Sequence, residues 1–154
     1  DWDRFNENLQ GARDGATAIG FNFMLPMLDL LVGLYLEEMG DTDKATEYYT
    51  KVINGESLMG NAMKVGAYIS QGRVYQELGL FKESEDMFKT VIKLDDENAE
   101  LFYEYSFLKE KQDKIDEARE LMVKAYNLYK DGNEELELTK KIHKRYDQLL
   151  EILP

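Results

Sequence analysis

The chain has 154 residues, with 31 Asp and Glu against 19 Lys and Arg and a formal net charge of −12. That balance argues against a nucleic-acid backbone as ligand, because phosphate binding draws on clustered Lys and Arg, and it makes a basic partner the electrostatic expectation. Cysteine is absent, which excludes a disulfide framework, a thiolate metal site and a cysteine nucleophile, and suits cytoplasm and periplasm alike. Two prolines and no apolar run near the ~20 residues of a membrane span point to one all-helical domain. The cytoplasm is the first expectation, but the chain begins at Asp1 rather than Met, so a removed leader or lipid anchor stays open.

From the N-terminus, residues 1–25 form a partly helical segment in which Phe5, Leu9, Ala12, Ala16, Ile19 and Phe23 keep helical spacing, weakened by Gly11 and Gly15. Pro26 should start or kink the next helix. Residues 26–59 then read as a helical hairpin marked by Gly33, Gly40, Ala45, Tyr49 and Val52, and Asn54-Gly55 supplies a stop. An insertion at 60–64 lengthens the following helix backwards, since Leu58, Ala62, Val65 and Ile69 continue one face towards a start near Ser57.

Residues 65–98 repeat the design: Tyr68, Gly72 and Tyr75 on a first helix, Leu78-Gly79 as the stop, then Phe81, Ser84, Phe88, Val91 and Ile92 on a second. Residues 99–132 answer with Phe102, Ser106, Ala118, Met122 and Ala125. Gly72 to Ser106 and Ser84 to Ala118 are both intervals of 34, and Gly33 to Gly72 and Ala45 to Ser84 both 39. A period of this length signals stacked helical hairpins. Gly72 and Ser84 make sense as the small partners where two helices cross: a leucine at Gly72 would force them apart, whereas alanine leaves little to clash. In residues 133–154, Leu138, Ile142, Tyr146, Leu149 and Leu153 form one stripe, and Lys140 stands where a small residue would be, so this stretch reads as a capping helix.

The run AYISQGRVYQELGLFKESEDMFKTVIKLDDENAE resembles a tetratricopeptide repeat. Its departures are Ser84 for the usual Ala, Val91 for a second Ala and Asp96 for Pro; in the next block Lys109 replaces an aromatic and Asp113 the turn Gly, and upstream Asp29 replaces a large residue. The resemblance implies an all-α right-handed superhelix of antiparallel helix pairs, an α-solenoid with a C-terminal capping helix, acting as a non-enzymatic interaction module. It also implies a concave groove lined by the first helix of each pair. In this chain those positions include Leu30, Leu34, Ile69, Arg73, Gln76, Glu77, Tyr103, Phe107 and Glu110, with Met27, Glu37, Glu38, Glu100 and Lys111 beside them. The pattern is an apolar floor with an acidic rim. The Lys, Asn and Arg clamp with which some family members grip chaperone tails is replaced by Leu30, Leu34, Ser70, Glu100 and Glu104, so that ligand is rejected.

Candidates for chemistry fall to plainer readings. His143, among Lys140, Lys141, Lys144 and Arg145, reads as part of a solvated outer helix face paired with Glu137, the alternative being a local site for an acidic partner or anionic lipid. GARDGATAIG, at 11–20, has neither the Gly-Lys-Ser/Thr ending nor the preceding strand of a phosphate loop, and reads as small residues permitting close helix approach or as a loose segment. Asp41-Thr42-Asp43 and Asp95-Asp96-Glu97-Asn98 read as helix starts rather than calcium loops. The expected occupant of the groove is a peptide or helix of another protein, basic and amphipathic; the alternative is a structural or homo-oligomerising module of a larger protein, its groove covered by its own termini or a second copy. Neither a cofactor, a metal nor a small-molecule ligand is expected.

Overall fold

The computed structural model describes residues 2–55, 61–130 and 136–151. Among these there are eight α-helices, one short 3-10 turn (Asn22–Met24) and no strand. They divide into two compact units, Asp1–Ser70 and Gln71–Pro154, the division falling within the fourth helix.

In the first unit, α1 (Trp2–Ala18) precedes a hairpin of α2 (Leu25–Glu38) and α3 (Thr42–Asn54). Pro26 sits in the first turn of α2, where its missing N–H costs nothing. Asp41 caps α3, its carboxylate accepting from the Lys44 N–H, so the Asp41-Thr42-Asp43 cluster is a helix start. Val32, Leu36, Ala45, Tyr49 and Val52 are buried in the hairpin core. At its crossing a methyl group on Gly33 would overlap the Tyr49 ring, which lies fully buried. The Tyr49 hydroxyl donates to Glu37. Leu9 and Ala16 of α1 are buried, the rings of Trp2 and Phe5 stack on Tyr35, and Arg13 pairs with Asp29. Ala12 and Ile19 are exposed, so the predicted stripe stops at Ala16. Nothing lies within 4 Å of where a Cβ would stand on Gly11 or Gly15, so these glycines serve no close helix approach; α1 simply runs through them.

The boundary helix α4 (Ala62–Glu77) begins at Ala62; the expected start near Ser57 lies outside the described residues. In the second unit the rest of α4 precedes α5 (Phe81–Leu94), α6 (Ala99–Lys111), α7 (Ile115–Tyr129) and α8 (Glu137–Glu151). Ser84 Oγ donates to the Gly72 carbonyl at 2.7 Å, a bond that the alanine usual at that place cannot make. Ser106, Ala118, Met122 and Ala125 are buried in the α6–α7 hairpin. Of the expected α8 stripe, Ile142 and Leu149 are buried with Thr139, Leu138 is half-buried, and Tyr146 stacks on Tyr126 of α7 at 4.1 Å between centroids, while Leu153 lies outside the described residues.

Four helix ends share one device. Gly20, Gly40, Gly79 and Asp113 all have φ between 61° and 81°, and each closes a pair of backbone bonds. At the end of α6, for example, Asp113 N–H reaches the Glu110 carbonyl and Lys114 N–H the Lys109 carbonyl, both at 2.9 Å. Three of the four are glycines, for which this left-handed backbone is free.

A methyl group on Gly72 would stand 2.6 Å from Cε1 of Phe88, a fully buried ring. The expectation that alanine is nearly harmless at Gly72 is therefore corrected: a packed ring must move, not the end of a flexible chain. Alanine returns ~1 kcal/mol of helix propensity, but overpacking of this kind costs ~1–3 kcal/mol, so Gly72→Ala is expected to destabilise and Gly72→Leu to do so more. Chemical denaturation checks both; an unchanged midpoint for the leucine variant would remove the crossing assignment. At Asp113, replacing the one left-handed non-glycine by glycine is expected to raise stability by up to ~1 kcal/mol, and Asp113→Val to lower it, read in the same experiment.

Candidate functional site

Helix α6 presents two faces of different character. Asn98 starts it by accepting from the Leu101 N–H at 2.9 Å, as expected of the acidic cluster at 95–98. From there Ala99, Leu101, Phe102, Tyr105, Leu108 and Lys109 turn inward and are buried. Glu100, Tyr103, Glu104, Phe107 and Glu110 follow the opposite helical spacing and remain half-buried or exposed. Tyr103 and Phe107, one turn apart, meet edge to face with centroids 5.0 Å apart. Burial, reinforced by the neighbouring Glu104 carboxylate, pushes the Tyr103 phenol above its ordinary pKa.

Two open clefts adjoin on this aromatic pair. One, of about 470 Å³, is lined by Arg73, Glu100, Tyr103, Glu104, Phe107, Glu137, Leu138 and Lys141. The other, of about 270 Å³, is lined by Tyr103, Phe107, Lys141, Lys144, Arg145 and Gln148. Arg73 and Glu104 form an ion pair at 3.4 Å at the edge of the first. Arg145 reaches from α8 to pair with Glu110, with its guanidinium 4.6 Å from the centre of the Phe107 ring. Burial pulls the Arg145 pKa below its ordinary value.

The expected groove residues thus separate. Arg73, Tyr103 and Phe107 line one cleft, and Glu110 stands beside it committed to Arg145. Glu77 is exposed near the end of α4. Ile69 and Gln76 keep only 1% and 5% of their surface and offer none to a partner. Leu34 is exposed and Leu30 half-buried, its Cδ2 lying 3.3 Å from where a Cβ would stand on Gly66; both belong to the first unit. The groove expected on the first helices does not include α8, although Glu137, Lys141, Lys144, Arg145 and Gln148 fall three or four residues apart and so share a helix face.

The reading of residues 140–145 as a solvated face is corrected in two places. Lys140, Lys141 and Lys144 are exposed. His143, however, packs its ring 5.1 Å from that of Tyr126 with Nε2 buried, and the Arg145 side chain is only 15% exposed. The cause is helical phase: His143 follows buried Ile142 and precedes Tyr146 by three, and Arg145 follows Leu138 by two turns, so both flank the apolar stripe.

Residues 30–54 and 65–98 match the family described as tetratricopeptide repeat. This chain carries tetratricopeptide repeats over those two stretches. Its all-α helical-repeat fold is similar to that of the Arabidopsis OM64 TPR domain, with a TM-score of 0.62 at 17% identity over 82% of this chain and 98% of that one. It is likewise similar to the crystal structure of MamA, with a TM-score of 0.60 at 18% identity over 98% of this chain and 92% of that one. Among curated proteins none matches it in sequence. Repeats of this family generally mediate interactions between proteins. None of the described helices is long and apolar enough to cross a membrane.

Lys109, at the place where these repeats commonly carry an aromatic, anchors the inner face of α6. Its side chain is 7% exposed, and its ammonium lies 2.9 Å from Glu117 of α7 and 3.4 Å from Glu85 of α5, and 5.1 Å from the centre of the Tyr105 ring. Tyr105 in turn donates to Glu85 at 3.1 Å. Lys89, bonded at 2.8 Å, and then Lys109 hold the Glu85 carboxyl down at about 2 against an ordinary 4.5. Because the folded pKa is depressed, the stability Glu85 contributes is present in full above about 4.5 and is lost as pH falls towards about 2. Denaturation of the wild type and Glu85→Gln at a series of pH values should show their difference greatest near neutrality and vanishing near pH 2.

Proposed function

We propose that the protein is a non-enzymatic interaction module that holds a peptide or helix of another protein in the clefts between α6 and α8. The observation that carries this reading is the Tyr103–Phe107 pair, an aromatic floor left half-exposed between two charged walls. Aromatic side chains in partly desolvated clefts dominate the energetics of protein interfaces. A basic amphipathic segment suits the charge of the first cleft, where Glu100, Glu104 and Glu137 outnumber Arg73 and Lys141, and suits the net charge of −12. Such a segment would lay its apolar residues on the floor and its cations against the acidic edge. Ile69 and Gln76 drop out of the proposed site because they are buried, and Glu110 because Arg145 already holds it.

A second reading draws on the first unit. Leu31, Leu34 and Met39 are 50%, 38% and 64% exposed on and just after α2, apolar surface that a second copy of the chain would cover in a homo-oligomerising module. Sedimentation across a concentration series separates the two readings, since this one requires a dimer or higher state without any foreign partner.

With a basic amphipathic helical peptide as probe, Tyr103→Ala combined with Phe107→Ala is expected to weaken binding by more than about 1 kcal/mol per side chain, roughly tenfold or more in all. Circular dichroism on the same samples establishes that the variant remains folded. Glu100→Gln with Glu137→Gln should mainly slow association and flatten its salt dependence. Unchanged affinity in the folded aromatic variant would place the binding surface elsewhere.

A further inference from the structure

We infer that α8 adds a cationic subsite to this groove, and that the segment it holds is zwitterionic, with a basic residue at one end of an apolar stretch and an acidic side chain at the other. The inference rests on the groove reading above and concerns the chemistry of its occupant. The smaller cleft is lined by Lys141, Lys144, Arg145 and Gln148 around the Tyr103–Phe107 floor, with no carboxylate among those lining residues. Of these cations Arg145 is engaged by Glu110 and by the Phe107 ring. Lys141 and Lys144 are exposed, and among the described residues neither has an ion-pair partner. Gln148 adds an amide donor to the same wall.

The larger cleft, which shares Tyr103, Phe107 and Lys141, carries the opposite balance through Glu100, Glu104 and Glu137. An occupant that was basic throughout would meet the acidic cleft well and the lysines badly. One with a carboxylate over Lys141 and Lys144 satisfies both, and the like-charge penalty selects against the all-basic alternative. Spacing adds a second constraint. Glu137 and Lys144 are seven residues apart on α8, about 10 Å along the helix axis. A helical occupant meets that distance with charges two turns apart, an extended one with charges about three residues apart. Between them a large apolar side chain would lie on Tyr103 and Phe107. The carboxylate is received by α8 and not by α6, whose Glu100 and Glu104 would repel it.

The test uses the full chain and four synthetic helical peptides that share one apolar ridge and differ only in the charges two turns apart: Lys then Glu, Glu then Lys, both Lys, both Glu. Fluorescence anisotropy should find one of the two mixed peptides bound roughly three- to tenfold more tightly than either uniform one. Lys141→Glu combined with Lys144→Glu, both at exposed positions, should keep the melting temperature and shift the preference to the all-Lys peptide. If the all-Lys peptide binds the wild type at least as tightly as either mixed one, and the lysine variant leaves the ranking unchanged, the cationic subsite is overturned while the groove stands. If no peptide binds, or all bind the folded Tyr103→Ala, Phe107→Ala variant undiminished, the groove itself fails and the subsite with it.

Discussion

Close approach of two helices over a residue with little or no side chain is the constraint on which each hairpin depends. Gly33 receives the ring of Tyr49, and Gly72 that of Phe88. Full burial of such a ring is worth about 1.5–3 kcal/mol, available only if the facing helix contributes bare backbone. The third hairpin meets the same constraint differently, with Ser106 facing the thinner Met122, whose sulfur lies 3.9 Å from the hydroxyl. Serine and methionine are both fully buried there.

The crossing with α7 seats α6 as the base of a surface. Its inner face is held by apolar packing and by Lys109, whose long stem crosses the hairpin core before its charge meets carboxylates from α5 and α7. A buried ion group of this kind contributes geometry more surely than it contributes stability, since its desolvation offsets much of the attraction. The outer face is then free to keep Tyr103 and Phe107 partly in water.

Most of the fold could be read from the chain because its signals are local and recur. Glycines at 33 and 72, serine at 106 and the helix stops at Gly40, Gly79 and Asp113 each follow from backbone geometry that a few neighbouring residues determine. The candidate groove is only half legible. Tyr103, Phe107 and Arg73 carry the periodicity of the repeat, whereas Ile69 and Gln76 share that periodicity and are buried. Whether a first-helix residue faces the groove or the next helix depends on packing angles that no spacing encodes. The basic cluster on α8 is only a second reading in the sequence for a related reason: a row of lysines on a terminal helix looks like an ordinary solvated face, and its place beside Tyr103 and Phe107 shows only in the structure. His143 and Arg145 deceived in the same way, since residues flanking an apolar stripe can pack or swing out according to what the neighbouring helix offers.

The placement of Trp2 has a practical consequence of its own. It is the single tryptophan in the chain, and its ring lies 5.9 Å from both Phe5 and Tyr35 in the first unit. Indole emission therefore reports on the seating of the N-terminal helix alone, while the second unit, with tyrosine as its only emitter, stays dark at the same wavelengths. Melting or ordering of the first unit can thus be followed through the indole without any added label, whereas tyrosine emission, drawn from Tyr35, Tyr48, Tyr49 and Tyr68 as well as from the second unit, reports on both.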